Sequence, residues 1–267
     1  MSNNSVVAMR HSSKIILILI SLVSLAAFAW PLLVQVNPDA GGQNAQAPLV
    51  FVAILPLLII VMLAELSRGG WDSKALAMLA VLTGIGAVLR PLGAGIAGVE
   101  TVFFLLVLAG RVFGPGFGFV LGNLTLFASA LLTGGVGPWL PFQMIAAGWV
   151  GLGAGLLPKL SGKKEIFMLM GYGVVASFLF GFLMNMWFWP FTLGADTQLS
   201  YVPGAPALEN LHRLIIFTFV TSFLWDVGRA LTNAILIGLL GPAVLATLRR
   251  ASHKAAFEAP VEFAPKV

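Results

Sequence analysis

The chain has no cysteine, only three histidines, and charged residues at only 9% of its length. Without cysteine there can be no disulfide, thiolate catalysis or cysteine-ligated metal, so the loops are held by packing alone. His11, His212 and His253 fall in the N-terminal tail, at a loop edge and in the C-terminal tail, which leaves no histidine-based metal or nucleophile site in the apolar body. Soluble proteins carry about 25% charged residues. Here 59% of the 267 residues are hydrophobic and the mean hydropathy is +0.98, which describes an all-α polytopic membrane protein. Also missing are the Gly-x-x-x-x-Gly-Lys-Ser/Thr phosphate loop, the Gly-x-Ser-x-Gly elbow and His-Glu-x-x-His. No cofactor is implied, and any uphill transport must draw on an ion gradient or a partner chain.

What charge there is carries direction. The net charge is +5, but the basic residues cluster in short loops and near the C-terminus, so they read as topology signals and not as a nucleic-acid surface. Spans of about 20 apolar residues are expected at 15–36, 49–66, 75–89, 101–112, 117–132, 139–157 and 166–189. Residues 213–248 are too long for one crossing at 1.5 Å per residue and should divide near Ser222 into an outer segment and a last span. The total is about eight transmembrane helices. Ala27-Phe28-Ala29 resembles a small-residue cleavage site, so a signal peptide competes with a retained first helix. With the N-terminus inside, the loops at 67–74, 113–115 and 159–164 and the C-terminal Arg249, Arg250 and Lys254 are cytoplasmic. The loops at 37–48, 91–98, 134–138 and 191–210 are then external and nearly free of Lys and Arg.

Two membrane-length runs joined by the tight Thr133–Pro141 turn stand out. Non-helical backbone at membrane depth is tolerated only beside protein or a water-filled cavity, so this turn is expected to border a cavity. The external aromatic cluster around Trp187 and Trp189 shares its side. A cavity lined by Trp139, Phe142, Gln143, Met144, Asn185, Trp187 and Trp189 would offer apolar walls with a few polar fixing groups, which suits a medium-sized organic ligand. The same aromatics also fit an interfacial belt, and helix–helix hydrogen bonds would satisfy the two amides.

Charges at membrane depth are expensive, and are paired or functional. Asp226 and Arg229 stand at an i, i+3 spacing that allows an ion pair. Arg90 and Glu100 flank one external loop and would pair with each other or meet ligand, while snorkelling accounts for Arg111. Asn123 and Asn233 read as structural polar groups of the spans. Ala77, Ala80, Gly84 and Ala87 include small-xxx-small pairs that let a second helix approach closely; packing within the chain is the alternative.

Together these residues resemble a known family. Gly114-Pro115 through Gly122, then Gly134-Gly135-Val136-Gly137-Pro138-Trp139-Leu140-Pro141-Phe142-Gln143-Met144, then Gly151-x-Gly153-x-Gly155 is similar to the substrate-binding S components of energy-coupling factor (ECF) vitamin transporters, most of all their actinobacterial branch. The resemblance implies a six-helix core over residues 74–250, preceded by two additional helices within 1–73 and followed by a cytoplasmic tail at 251–267. It implies a multi-pass protein of the bacterial plasma membrane, with both termini cytoplasmic. Such a protein is no enzyme: it captures a vitamin or related micronutrient outside and works with a transmembrane T component and two cytoplasmic ATPases. Partner docking would map to Ala77, Ala80, Gly84 and Ala87, and Arg90 joins the substrate-binding set. Branch resemblance favours a cobamide, while flavins, thiamine precursors and biotin-like compounds stay open. Two other readings remain: a membrane enzyme acting on lipid through Asp226, Arg229 and Glu100, and a stand-alone ion-coupled carrier.

Overall fold

The computed structural model describes residues 7, 11–33, 56–57, 59–60, 63, 71, 73–93, 96, 98–191 and 197–255. Among them every regular element is helical, because a backbone in lipid must satisfy its own hydrogen bonds. The helices are α1 (His11–Phe28), α2 (Trp30–Leu33), α3 (Ser73–Leu89), α4 (Phe103–Phe113), α5 (Pro115–Thr133), α6 (Leu140–Leu156), α7 (Gly162–Phe188), α8 (Ala207–Thr221) and α9 (Phe223–Ala255), with short 3-10 turns at Arg90–Gly93 and Trp189–Phe191. Five of these are long and apolar enough to cross a membrane: α1, α3 with its 3-10 turn, α5, α7 and α9; α4 and α6 are shorter apolar helices. The first expected span is thus two helices that meet at Ala29. Most of the expected span at 49–66 and of the connection at 67–74, together with the loop at 37–48 and the tail beyond residue 255, lies outside the described residues.

The division expected near Ser222 is present. The Ser222 N–H donates to the Thr218 carbonyl at 3.0 Å and the Asp226 N–H to the Ser222 carbonyl at 2.9 Å, so the chain passes from α8 to α9 without losing its hydrogen bonds. α8 begins earlier than the apolar pattern indicates. Pro206 fixes its start, and Asn210 exchanges side-chain bonds of 3.0 and 2.9 Å with the Val202 backbone, which ties down the preceding loop.

α4 lies at the centre. It is apolar on every side, and each residue from Phe103 to Gly110 is buried, as expected of a helix surrounded by protein. Eleven residues rise about 16 Å at 1.5 Å each, roughly half of a hydrocarbon core about 30 Å thick. α5, α6, α7 and α9 enclose it. At the tightest crossing α4, α5 and α6 meet through glycine. A Cβ on Gly110 or on Gly118 would run into the Gly151 carbonyl, one on Gly122 into that of Ala147, and one on Gly155 into the Gly114–Pro115 backbone. Small residues at such crossings let backbones close to van der Waals contact, which lipid-exposed Leu or Val would prevent. α4 and α5 are joined by Gly114, whose φ of 105° is open to glycine and strained for other residues.

Contacts between helix ends define two poles. At one, Thr101 Oγ1 donates to the Leu89 carbonyl, and Asn185 of α7 meets Thr218 and Ser222. At the other, Arg111 of α4 donates to Glu165 of α7 at 2.7 Å and to the Leu157 carbonyl at 2.9 Å, and Arg249 of α9 reaches the same Glu165 oxygen at 2.6 Å. This corrects the snorkelling expectation for Arg111: it is held inside because Glu165, itself buried, offers it a partner. Replacing Gly118 with Val should lower the thermal unfolding midpoint in detergent by the equivalent of about 3 kcal/mol. Gly84→Ala, where an added Cβ meets nothing, should not lower the midpoint, since alanine is the better helix former.

Candidate functional site

Two cavities of about 310 and 290 Å³ open at the first pole, and Glu100 and Trp225 line both of them. The first lies beneath the Arg90–Gly93 turn, with Ser129, Thr133, Gly135 and Trp139 on its other wall. The second lies among Gln143, Gly181, Asn185, Ser222, Asp226 and Arg229. The Thr133–Pro141 turn therefore borders a cavity, as its sequence indicates. α5 ends there because Gly134 turns left-handed at φ 65°, and its N–H bonds back to Ala130. Gly137 lies against the Trp139 ring, where any Cβ would clash, and the indole N–H donates to the Gly135 carbonyl at 3.3 Å.

The charged groups form a connected set. Arg229 donates from Nη1 to Asp226 Oδ1 at 2.5 Å and to the Ser177 carbonyl at 3.2 Å. Its Nη2 donates to Glu100 Oε1 at 3.1 Å, while Nε lies 3.0 Å from Glu100 Oε2. The guanidinium also rests over the Phe180 ring, 5.1 Å from its centroid. Asn233 extends the set inward by donating to Ser177 Oγ at 3.1 Å. Gly181 belongs to the arrangement too, since a Cβ there would occupy the place of the Asp226 carboxylate. One arginine thus answers two carboxylates brought in from α9 and from the segment before α4. Arg90 takes a different partner, donating from Nη2 to Gln143 Oε1 at 3.0 Å.

The scaffold around these cavities can now be placed among known proteins. A family model described as the substrate-specific component of ECF transporters matches residues 74–241. The chain belongs to that family. No curated protein and no solved structure matches it. It is accordingly a substrate-specific membrane component of the ECF importer type, a family of substrate-binding transport subunits that work with a T component and ATPases in the membrane.

Within this ECF component the residues singled out from sequence separate into two groups. Arg90, Trp139, Gln143 and Asn185 line the cavities. Phe142, Met144, Trp187 and Trp189 lie instead in the packed interior: Phe142 sits between Phe28, edge-on at 5.1 Å, and Trp187, tilted at 4.7 Å, and Trp189 packs edge-on against Tyr201. Their side chains follow the apolar interior and do not reach the cavity walls. Arg90 and Glu100 do not pair with each other, because Gln143 and Arg229 are nearer. Ala77, Ala80 and Gly84 are exposed on α3, whereas Ala87 is buried. Asn123 donates to the Phe119 carbonyl at 2.8 Å and touches Gly148, so it sits in the α5–α6 contact away from the cavities.

Sequence reasoning gives no weight to Trp225, Ser129 or Glu165. Trp225 directly precedes Asp226 at the start of the last span, and that adjacency was a usable signal. Glu165 follows two lysines and reads as solvated, and Ser129 is an ordinary small polar residue within a span. Removing one partner of a buried charge set strands the others. Arg229→Gln should therefore cost about 3–5 kcal/mol of stability, measured by denaturant unfolding in detergent. Arg213→Gln, which breaks the exposed pair with Glu209, should cost at most about 0.5 kcal/mol.

Proposed function

We propose that this ECF component captures a vitamin-like micronutrient in the paired cavities, on the external side of the membrane. The observation that carries the reading is the pair of adjoining cavities, about 310 and 290 Å³, at the pole opposite the basic one. Together they reach the size of ordinary ligand sites, about 300–1,000 Å³. Trp139 and Trp225 supply aromatic faces for a planar ring. Arg90, Gln143 and Asn185 supply hydrogen bonds that would fix its orientation. Lys74, Lys159, Lys163, Lys164, Arg249 and Arg250 belong to the opposite pole, which favours a cytoplasmic location for it.

The T component would dock along α3, where Ala77, Ala80 and Gly84 allow a partner helix to come close. Ala87 is spent on the bundle's own packing and drops out of that surface. Asp226, Arg229 and Glu100 are committed to one another, which weighs against the lipid-enzyme reading. A cobamide, favoured by branch resemblance, is larger than either cavity alone and would have to fill both, with the turn at Arg90–Gly93 giving way. Flavin, thiamine and biotin compounds make smaller demands.

The direct test is gentle purification of the tagged chain from its native membrane, with mass spectrometry of whatever small molecules and proteins remain bound. Binding measurements with riboflavin, thiamine, biotin and cobalamin follow. A retained vitamin with a T component and ATPases supports the reading, and an empty solitary chain that binds none of the four defeats it. For whichever compound binds, Gln143→Ala and Trp139→Ala should each weaken affinity about tenfold, or 1.4 kcal/mol, with complex assembly intact. Gly84→Leu should do the reverse, preserving affinity while reducing co-purification of the T component.

A further inference from the structure

The N-terminal helices lie outside the matched residues 74–241, yet they are built into the wall behind the cavities. Phe28, at the end of α1, is fully buried; its ring lies 5.1 Å from that of Phe142 and 5.6 Å from that of Trp149, both on α6. Phe142 continues to Trp187 at 4.7 Å, and Trp187 to Phe188 at 5.9 Å. This aromatic row therefore holds the residue before Gln143 and a residue two positions after Asn185. A second row runs from Trp30 of α2 to Tyr201 at 6.3 Å and on to Trp189 at 5.5 Å, fastening the far end of α7. Lower down, the Trp149 indole N–H donates to Ser21 Oγ at 3.0 Å, which fixes the height of α1 against α6.

We infer that α1 and α2 are an integral brace of the ligand site, with Phe28 as a positioning residue that sets the register of Gln143 and Asn185 through Phe142 and Trp187. The row has few alternatives. Gln143 must meet Arg90 in the turn after α3, and Asn185 must meet Thr218 of α8 and Ser222 between α8 and α9. Those bonds fix the amide tips, and the aromatic row fixes the backbones that carry them. Side chains locked from behind hold a site in one geometry. Cleavage after Ala29 would remove Phe28 and open the back of the site, so the brace requires a first helix retained in the working protein.

The functional half of this inference rests on the ligand site proposed above, and the structural half does not. The test is amide hydrogen exchange of the full chain in detergent, without added ligand, for wild type, Phe28→Ala and Leu22→Ala, the last at an exposed position of α1. Phe28→Ala should raise exchange over residues 140–146 about tenfold through local opening, while residues 103–113 stay protected. Leu22→Ala should leave residues 140–146 at the wild-type rate. The member of the four-vitamin panel that binds wild type should bind Phe28→Ala about tenfold more weakly, and Leu22→Ala equally well. Unchanged exchange over 140–146 in Phe28→Ala, or a rise shared by every helix, would overturn the brace. If wild type binds none of the four while the local rise appears, the brace stands and the ligand reading falls.

Discussion

Three backbones meeting without side chains between them is the contact on which this molecule depends. Lipid tails are as apolar as leucine, so helices in a bilayer gain little by hiding apolar side chains from it, and their association relies on close packing and interhelical hydrogen bonds. Gly110, Gly118 and Gly151 let α4, α5 and α6 approach until a carbonyl of one lies where the Cβ of another would be. A helix of 11 residues can then remain wholly inside, with longer helices around it. Because α4 is short, its two ends stop within the thickness of the bundle. The segment before it brings Glu100 to Arg229, and its last turn brings Arg111 to Glu165.

Both poles thus solve the same problem, a charge at or near membrane depth, in opposite proportions. At one, a single carboxylate, Glu165, serves two arginines. At the other, Arg229 serves two carboxylates and Arg90 stands apart on an amide. The latter leaves room, and a partly filled polar chamber at a helix junction is where a small molecule can exchange for water while the surrounding hydrogen bonds stay closed.

The sequence makes the helices legible because each span is long, apolar and bounded by Gly, Pro or charge. The break at Ser222 followed from length alone, and the cavity beside the Thr133–Pro141 turn followed from the cost of loose backbone in lipid. Side-chain direction was not legible. Phe142 and Gln143 are neighbours on one helix, and nothing in composition says which of them meets Phe28 and which meets Arg90. Adjacent helical residues point about 100° apart, so a wall read as a list of neighbours must mix lining with interior. The partner of Glu100 was hidden for a different reason. It lies 129 positions away on α9, and only the packing of α4 decides that Arg229 reaches it before Arg90 does.

These constraints also sort the faces of the bundle. α1 occupies the side made by α6 and α7, with Ser21 bonded to Trp149 and Phe28 set into the aromatic row. α3 is held differently. Its main neighbour is α5, where Gly86 fits against Thr125, and the hydroxyls of Thr83 and Thr125 are buried without a hydrogen-bond partner among the described residues. Its other side exposes Leu76, Val81, Ile85 and Val88 around the small residues Ala77, Ala80 and Gly84. A buried polar atom left unpaired costs about 1–3 kcal/mol, and the α5–α6 contact carries one as well, Asn123 Oδ1. A displacement of α3 would cost the α3–α5 seam and the Arg90–Gln143 bond, while α4, α5 and α6 would stay locked through their glycines.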